Sequence, residues 1–205
     1  MITTIIVIIT SIISIFAFKR HDVMRKFDLA PYQIATKREY YRFFTHAFLH
    51  ADWVHLIINM LVLYSFGRHV ENIFSELKVR GLLSSPELTY LLLYIGGILL
   101  STVTTYLRHR TNPDYLAVGA SGAVSSILFT SIFFSPMEMI YFYGIIPMPG
   151  IIFGVLYLIY SSYMSRKGGD NINHDAHLWG AVYGFIFPLF IDFSLFNEFL
   201  NQFQF

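Results

Sequence analysis

Val118-Gly119-Ala120-Ser121-Gly122-Ala123 sets a serine between two glycines at the start of an apolar run that continues to Phe134. Two other apolar runs also begin with proton-handling side chains, one carrying His55 and Asn59 and the other His177. Glycine permits close backbone approach, and amides at a helix start face developing negative charge. Gly-x-Ser-Gly therefore suits a nucleophile. Serine among small residues is also ordinary helix-packing material in membranes, so the motif alone leaves both readings open.

The composition around the motif is that of a membrane protein. Hydrophobic residues make up 55% of the chain and charged residues 13%, with a mean hydropathy of +0.55. Soluble domains carry about 25% charge. The net charge of +1 supplies no basic footprint for nucleic acid. The lack of cysteine excludes a disulfide framework, a thiol nucleophile and a cysteine zinc site. No cofactor is expected.

A span needs about 20 mostly apolar residues. Six are expected, at 2–18, 53–70, 88–107, 116–134, 148–165 and 175–194, in one domain covering 1–205 with no added soluble domain. The first run is read as a span rather than a secretion signal, because no Lys or Arg precedes it and Phe16-Ala17-Phe18-Lys19-Arg20 is a poor cleavage site. Pro147 and Pro149 forbid a regular helix before the fifth run. Met139 to Ile146 is therefore expected to lie at the membrane surface or re-enter it. The first loop, 19–52, sets Tyr32, Tyr40, Tyr41, Phe43 and Phe44 beside Arg38 and Arg42. That mixture suits the membrane–water interface, either as an anchor or as a structured element shaping access to a site.

Even-numbered spans run in one direction, so the second, fourth and sixth begin on the same side. At about 1.5 Å rise per residue, His55, Asn59, Ser121 and His177 lie within roughly 10 Å of that surface. Neutral histidine is the usual base for a serine. A third, acidic member orients the base in triads without being compulsory, so the expectation is a Ser121–His177 dyad. Gly180 and Gly184 fall within about 60° of His177 on a helix. Such a small-residue stripe draws helices together, and Gly119–Gly122 is its best match. A histidine satisfied by a neighbouring carbonyl is the plainer alternative. His55 and Asn59 share one helix face, and both can donate to an oxyanion together with the Ser121 N–H. A catalytic zinc helix sets a Glu between histidines four apart. His46, His50 and His55 could alternatively be metal ligands, but Ala47-Phe48-Leu49 fills that gap between His46 and His50, so no metal is expected and His46 and His50 are read as structural.

Assembled in order, these residues resemble the rhomboid intramembrane serine proteases. Arg42-Phe43-Phe44-Thr45-His46-Ala47-Phe48-Leu49-His50, with His55 and Asn59, is similar to that family's first loop and second-span entry. Gly119-Ala120-Ser121-Gly122 is similar to its nucleophile motif, and Ala176-His177 with Gly180 and Gly184 to its general-base span. Gly67 and Glu71 fall where the family has a glycine and a glutamate. The likeness implies an all-α membrane protein with a six-transmembrane-helix bundle. It implies Ser121 as nucleophile, His177 as general base, and His55 and Asn59 at the oxyanion with Gly119 beside it. Arg42 would be structural in the first loop, and Glu71 would help to hold that loop. The implied partners are single-span membrane proteins cut near the surface of the bilayer. The expected location is a bacterial-type plasma membrane, as a multi-pass protein.

This chain departs from the family pattern at three positions. Tyr41 replaces a tryptophan. Ser125 stands where an aromatic usually stacks on the histidine, leaving Tyr183 or another ring to substitute. Trp179 occupies a position often held by a small residue. The family topology would also set seven Lys/Arg in the first outer loop (Lys19, Arg20, Arg25, Lys26, Lys37, Arg38, Arg42), against Arg68, Lys78 and Arg80 inside. That reverses the usual bias. The rival readings are a catalytically inactive relative that binds membrane clients, and a six-span transporter or channel. A transporter would line the whole bilayer thickness with polar groups, whereas here they gather at one end.

Overall fold

The helix α7 (Ser121–Phe134) is buried all round, from Gly122 to Phe133. An apolar helix with no polar face belongs at the centre of a bundle. Packed on it are α5 (Trp53–Val79), α6 (Pro86–His109), α8 (Gly150–Lys167) and α9 (His174–Ile186), with α1 (Ile2–Phe18) outside on α5. The computed structural model describes residues 1–142, 145–170 and 172–203 and is mostly helical.

Local chemistry sets the helix starts. Asp52 accepts the His55 N–H at 2.8 Å and caps α5. Asn173 caps α9 by accepting the Ala176 N–H at 3.2 Å. Both are side chains that satisfy otherwise unpaired first-turn amides. Pro86 opens α6, where its missing N–H costs nothing.

The surface is inverted relative to a water-soluble bundle. Helix α1 buries Thr3, Thr10, Ser14 and Ala17 and exposes Ile5, Ile8, Ile12 and Ile15. Helix α8 buries Gly150, Gly154 and Ser161 and exposes Ile152, Val155, Leu156 and Ile159. Large apolar faces turned outward on several elements call for an apolar surrounding.

Helices stand at all six expected positions, but the expected spans differ in length and form. Among the described residues, by length and composition α6 is the one helix long and apolar enough to cross a membrane, or there are up to three spans if each of two bent pairs counts as one. Helix α5 continues past residue 70 to Val79 because its second half is polar, with Arg68, Glu71, Glu76 and Lys78. Helix α7 starts at Ser121 rather than 116, since an extended segment precedes it. The sixth run breaks at Pro188 into the short α10 (Pro188–Ile191), followed by α11 (Leu195–Asn201). Met139 to Ile146 falls mainly in an antiparallel hairpin of β1 (Met139–Phe142) and β2 (Ile146–Pro149), with Met139 opposite Pro149. Residues 143 and 144 lie outside the described residues. The first loop is a structured element, folded into α2 (His21–Phe27), α3 (Pro31–Lys37), α4 (Arg42–Thr45) and a 3-10 turn at His46–Phe48.

Candidate active site

The segment before α7 is held open by the first loop. Leu29 and Ala117 exchange two backbone hydrogen bonds, at 2.8 and 3.0 Å, and the Gly119 N–H donates to the His46 carbonyl at 3.0 Å. Gly119 has φ +128, which L side chains rarely adopt. A Cβ there would lie 2.7 Å from His55 Cε1, 2.9 Å from His55 Nε2 and 3.8 Å from Ser121 Oγ. Glycine is thus required twice, for the backbone angle and for the closeness of the imidazole. The first α7 amide to bond back is that of Val124, to the Ala120 carbonyl at 2.9 Å. Among the described residues, the amides of Ser121, Gly122 and Ala123 are therefore left as donors at the helix start.

His55 and Asn59 come from α5 and share its inner face. The Asn59 side-chain amide donates to the His55 carbonyl at 2.9 Å. The His55 ring meets His50 edge to face, with centroids 4.9 Å apart.

Helix α9 meets α7 at backbone level. A Cβ added at Gly180 would strike the Gly122 carbonyl oxygen, and one at Gly184 the Ser126 carbonyl oxygen. Thr130 Oγ1 also donates to the Gly184 carbonyl at 2.7 Å. His177 stands one turn before Gly180, on the helix locked to the one that Ser121 begins. Its ring lies nearly parallel to Tyr157 at 6.2 Å and 22°, and edge to face with His174 at 5.8 Å. Among the described residues no hydrogen bond joins Ser121 to His177. Catalytic hydrogen bonds are often long before substrate binds. The start of α9 is anchored by Asp175 to Arg108 and Ser165, and by Asn173 to Thr105 at 3.0 Å. A cavity of about 10 Å³ backs the Gly119–Ala123 turn, walled also by His46, Ser101 and Asn173. That is room for about one water.

Arg42 is the hub of the first loop. Its buried guanidinium donates to Asp28 Oδ1 at 2.6 Å, Glu39 at 2.6 Å, Gln33 at 2.8 Å and the carbonyls of Asp28 and Arg25. The Tyr41 ring packs against it at 5.6 Å. His46 Nδ1 bonds the Arg42 carbonyl at 3.0 Å and His50 Nδ1 bonds Ser14 Oγ at 2.9 Å. Burial holds both rings well below the usual histidine range, His46 at about 4 and His50 at about 3.

The expectation that Glu71 sits near the site and holds the first loop is corrected. Its carboxylate accepts the Thr3 N–H at 3.0 Å and pairs with Arg68 at 3.0 Å and the amino terminus at 3.6 Å. It lies sixteen residues beyond His55, about 24 Å along the helix, where it holds the start of α1. Gly67 faces Thr3 and Tyr90 on the same seam. Tyr183 does not reach the histidine, because its hydroxyl donates to the Leu92 carbonyl at 3.2 Å. Trp179 turns outward and is exposed. Residue patterns gave no sign of Tyr157, Ser101 or His174 at the site. The one available signal was Ser125 where the family resemblance implies an aromatic, which left open a ring from Tyr183 or elsewhere and did not point to Tyr157.

Residues 37–192 match the Rhomboid domain family. The chain is 30% identical over 153 residues to RHOMBOID-like protein 12, mitochondrial, of Arabidopsis thaliana, covering 67% of this chain and 42% of that protein. It is 29% identical over 149 residues to the rhomboid YdcA of Bacillus subtilis (strain 168), covering 72% and 65%. Rhomboid-like protein 15 of Arabidopsis thaliana is 21% identical over 178 residues, covering 86% and 42%. The chain spans 42% to 65% of the length of these relatives.

Proposed function

The chain belongs to the rhomboid family, and we propose that it is an active member, an intramembrane serine endopeptidase cutting single-span membrane proteins within or near the bilayer. In this reading 1–205 is one rhomboid-like membrane domain, crossed by α1, α5, α6, α7, α8 and α9. It resides as a multi-pass protein in a bacterial-type plasma membrane. The outward apolar faces of α1 and α8 support the crossing. The observation that carries the chemistry is the meeting at Gly119, where the His55 ring and Ser121 Oγ converge on a left-handed glycine, while α9 is locked to α7 one turn from His177.

His177 takes the proton of Ser121 Oγ as that oxygen attacks the scissile carbonyl. The carbonyl oxygen becomes an oxyanion facing the Ser121 N–H, His55 and Asn59. Collapse of the tetrahedral intermediate breaks the C–N bond, and His177 returns the proton to the leaving amine. Water, deprotonated by the same imidazole, then cleaves the acyl-serine ester. A helical substrate must unwind locally to present its peptide bond, because the carbonyl in an intact helix is hydrogen-bonded and shielded.

The test uses purified protein in detergent, with a fluorophosphonate probe and a transmembrane substrate. Wild type is expected to label and cut. Ser121→Ala and His177→Ala should do neither at an unchanged melting temperature, and the double variant should be no worse than either, since the pair acts as a unit. A folded wild type that neither labels nor cuts would instead favour the catalytically inactive relative that binds membrane clients.

A further inference from the structure

An imidazole without a carboxylate partner needs something else to fix its plane, because the terminal torsion of histidine is broad. In His177 no side-chain hydrogen bond does so among the described residues. What faces the ring is Tyr157 of α8, at 6.2 Å and 22°. That separation and tilt fall in the offset-stacked range for aromatic pairs.

Tyr157 is itself held at both ends. Its hydroxyl shares a 2.6 Å hydrogen bond with Ser125 Oγ, and its ring packs on Phe129 at 5.4 Å and Phe153 at 5.9 Å. Ser125 lies one turn after Ser121 on α7 and is buried. A buried hydroxyl must find a partner, and these two satisfy each other. The hydroxyl pair thus joins α8 to the helix of the candidate nucleophile, while the ring sets α8 against the candidate base on α9. Gly154, three residues earlier, faces the same α7 residues, and a Cβ added there would sit 3.4 to 3.7 Å from Phe129 and Ile132.

We propose that Tyr157, anchored by Ser125, is the positioning residue that orients His177. Orientation of the base then depends on the seat of α8 against α7, and a displacement of α8 would disengage it. This inference rests on the reading of His177 as the general base. The other charged or titratable groups facing His177 are His174 on its own helix, hydrogen-bonded to Asp170 at 3.1 Å, and His55 on α5. None of them stacks on its plane.

The experiment measures fluorophosphonate labelling rate per folded molecule across pH, together with kcat and KM on a transmembrane substrate. Tyr157→Leu should lower labelling and kcat by about 100-fold, the scale of a misplaced reacting group, at all pH values and with KM nearly unchanged. Tyr157→Phe keeps the ring and should restore all but a few-fold. Ser125→Ala should match Tyr157→Phe, and the double variant should be no worse than either, because both remove one bond. Wild-type rates in Tyr157→Leu, or a Tyr157→Phe as impaired as Tyr157→Leu, would overturn the proposal. If Tyr157→Leu does not fold, the Ser125→Ala and Tyr157→Phe pair decides, and unchanged rates in both, or losses that add in the double variant, would overturn it. A wild type that does not label at all removes the general-base reading, and this inference falls with it. A labelling wild type beside an unaffected Tyr157→Leu removes this inference alone.

Discussion

Helices α9 and α8 both rest on α7, but by different means. Against α9 the closest approach is backbone to backbone, Gly180 on the Gly122 carbonyl and Gly184 on the Ser126 carbonyl, with the Thr130 hydroxyl on the Gly184 carbonyl beside it. Against α8 it is made by side chains: Phe129, Ile132, and the Tyr157–Ser125 hydroxyl pair. Where backbone meets backbone, the contact can change only if a whole helix moves, since a glycine has no rotamer to exchange. A side-chain seam can repack. The candidate nucleophile and base stand on the two sides of the stiff seam, and the ring facing the base arrives across the soft one. The first loop completes the stiff side, clasping residues 117–119 through the backbone of Leu29 and His46.

Gly180→Val attacks the stiff seam directly and should have the largest effect. Its side chain would be forced into the Gly122 backbone, a rigid group rather than the end of a flexible side chain, so loss of the folded state is expected by thermal melting in detergent. A folded Gly180→Val would show that the two backbones can separate. Arg42→Met tests the clasp of the first loop. It strands Asp28 and Glu39, and losing one partner of a buried pair costs about 3–5 kcal/mol. A melting temperature equal to wild type would mean that the loop does not depend on this hub.

Acid should loosen the same clasp. The folded-state values of His46 and His50 lie below the ordinary 6.5 because of burial, at about 4 and about 3. Below pH 6.5 the unfolded chain therefore binds protons that the folded chain refuses. Their contribution is complete above about pH 6.5 and is lost as pH falls towards 4 and then 3, by at most about 1.4 kcal/mol per pH unit for each ring. His50→Gln should flatten the acid limb of stability against pH, and an unaltered limb would remove His50 from it. The smallest effect belongs to the soft seam. A Cβ at Gly154 would sit 3.4 to 3.7 Å from Phe129 and Ile132, ordinary contact distances for side chains able to adjust. Gly154→Ala should change stability by less than about 1 kcal/mol, and a loss as large as that of Gly180→Val would erase the distinction between the seams.

Much of this was legible in the residues. Low charge with repeated apolar runs announced a membrane bundle, and helices formed where those runs lie. His177, Gly180 and Gly184 share a stripe by helical periodicity, and the structure seats that stripe on α7 at Gly122 and Ser126. Periodicity reports which residues share a face, so it was enough to pair these helices. It was silent where the chain leaves a helix. The extended segment before Ser121 depends on a partner remote in sequence, Leu29 for Ala117, whereas the pairing of β1 with β2 and the break at Pro188 are local departures from the helical period. Glu71 was misplaced for a related reason: its spacing from His55 was readable, but its partners at Thr3 and the amino terminus were not.

By itself, then, the sequence determined the chemistry on offer: a serine, two histidines and an asparagine, each near the start of an apolar helix. The apolar runs and their boundaries suffice for that. Only the tertiary structure decided which groups touch. That Gly119 admits His55, that Arg42 gathers Asp28, Glu39 and Gln33, and that Tyr157 of α8 faces His177 where Ser125 supplies no ring are all contacts between residues far apart in the chain. Such contacts depend on how helices are rotated and seated against one another, and a close-packed interior settles that through the shapes of all its side chains at once.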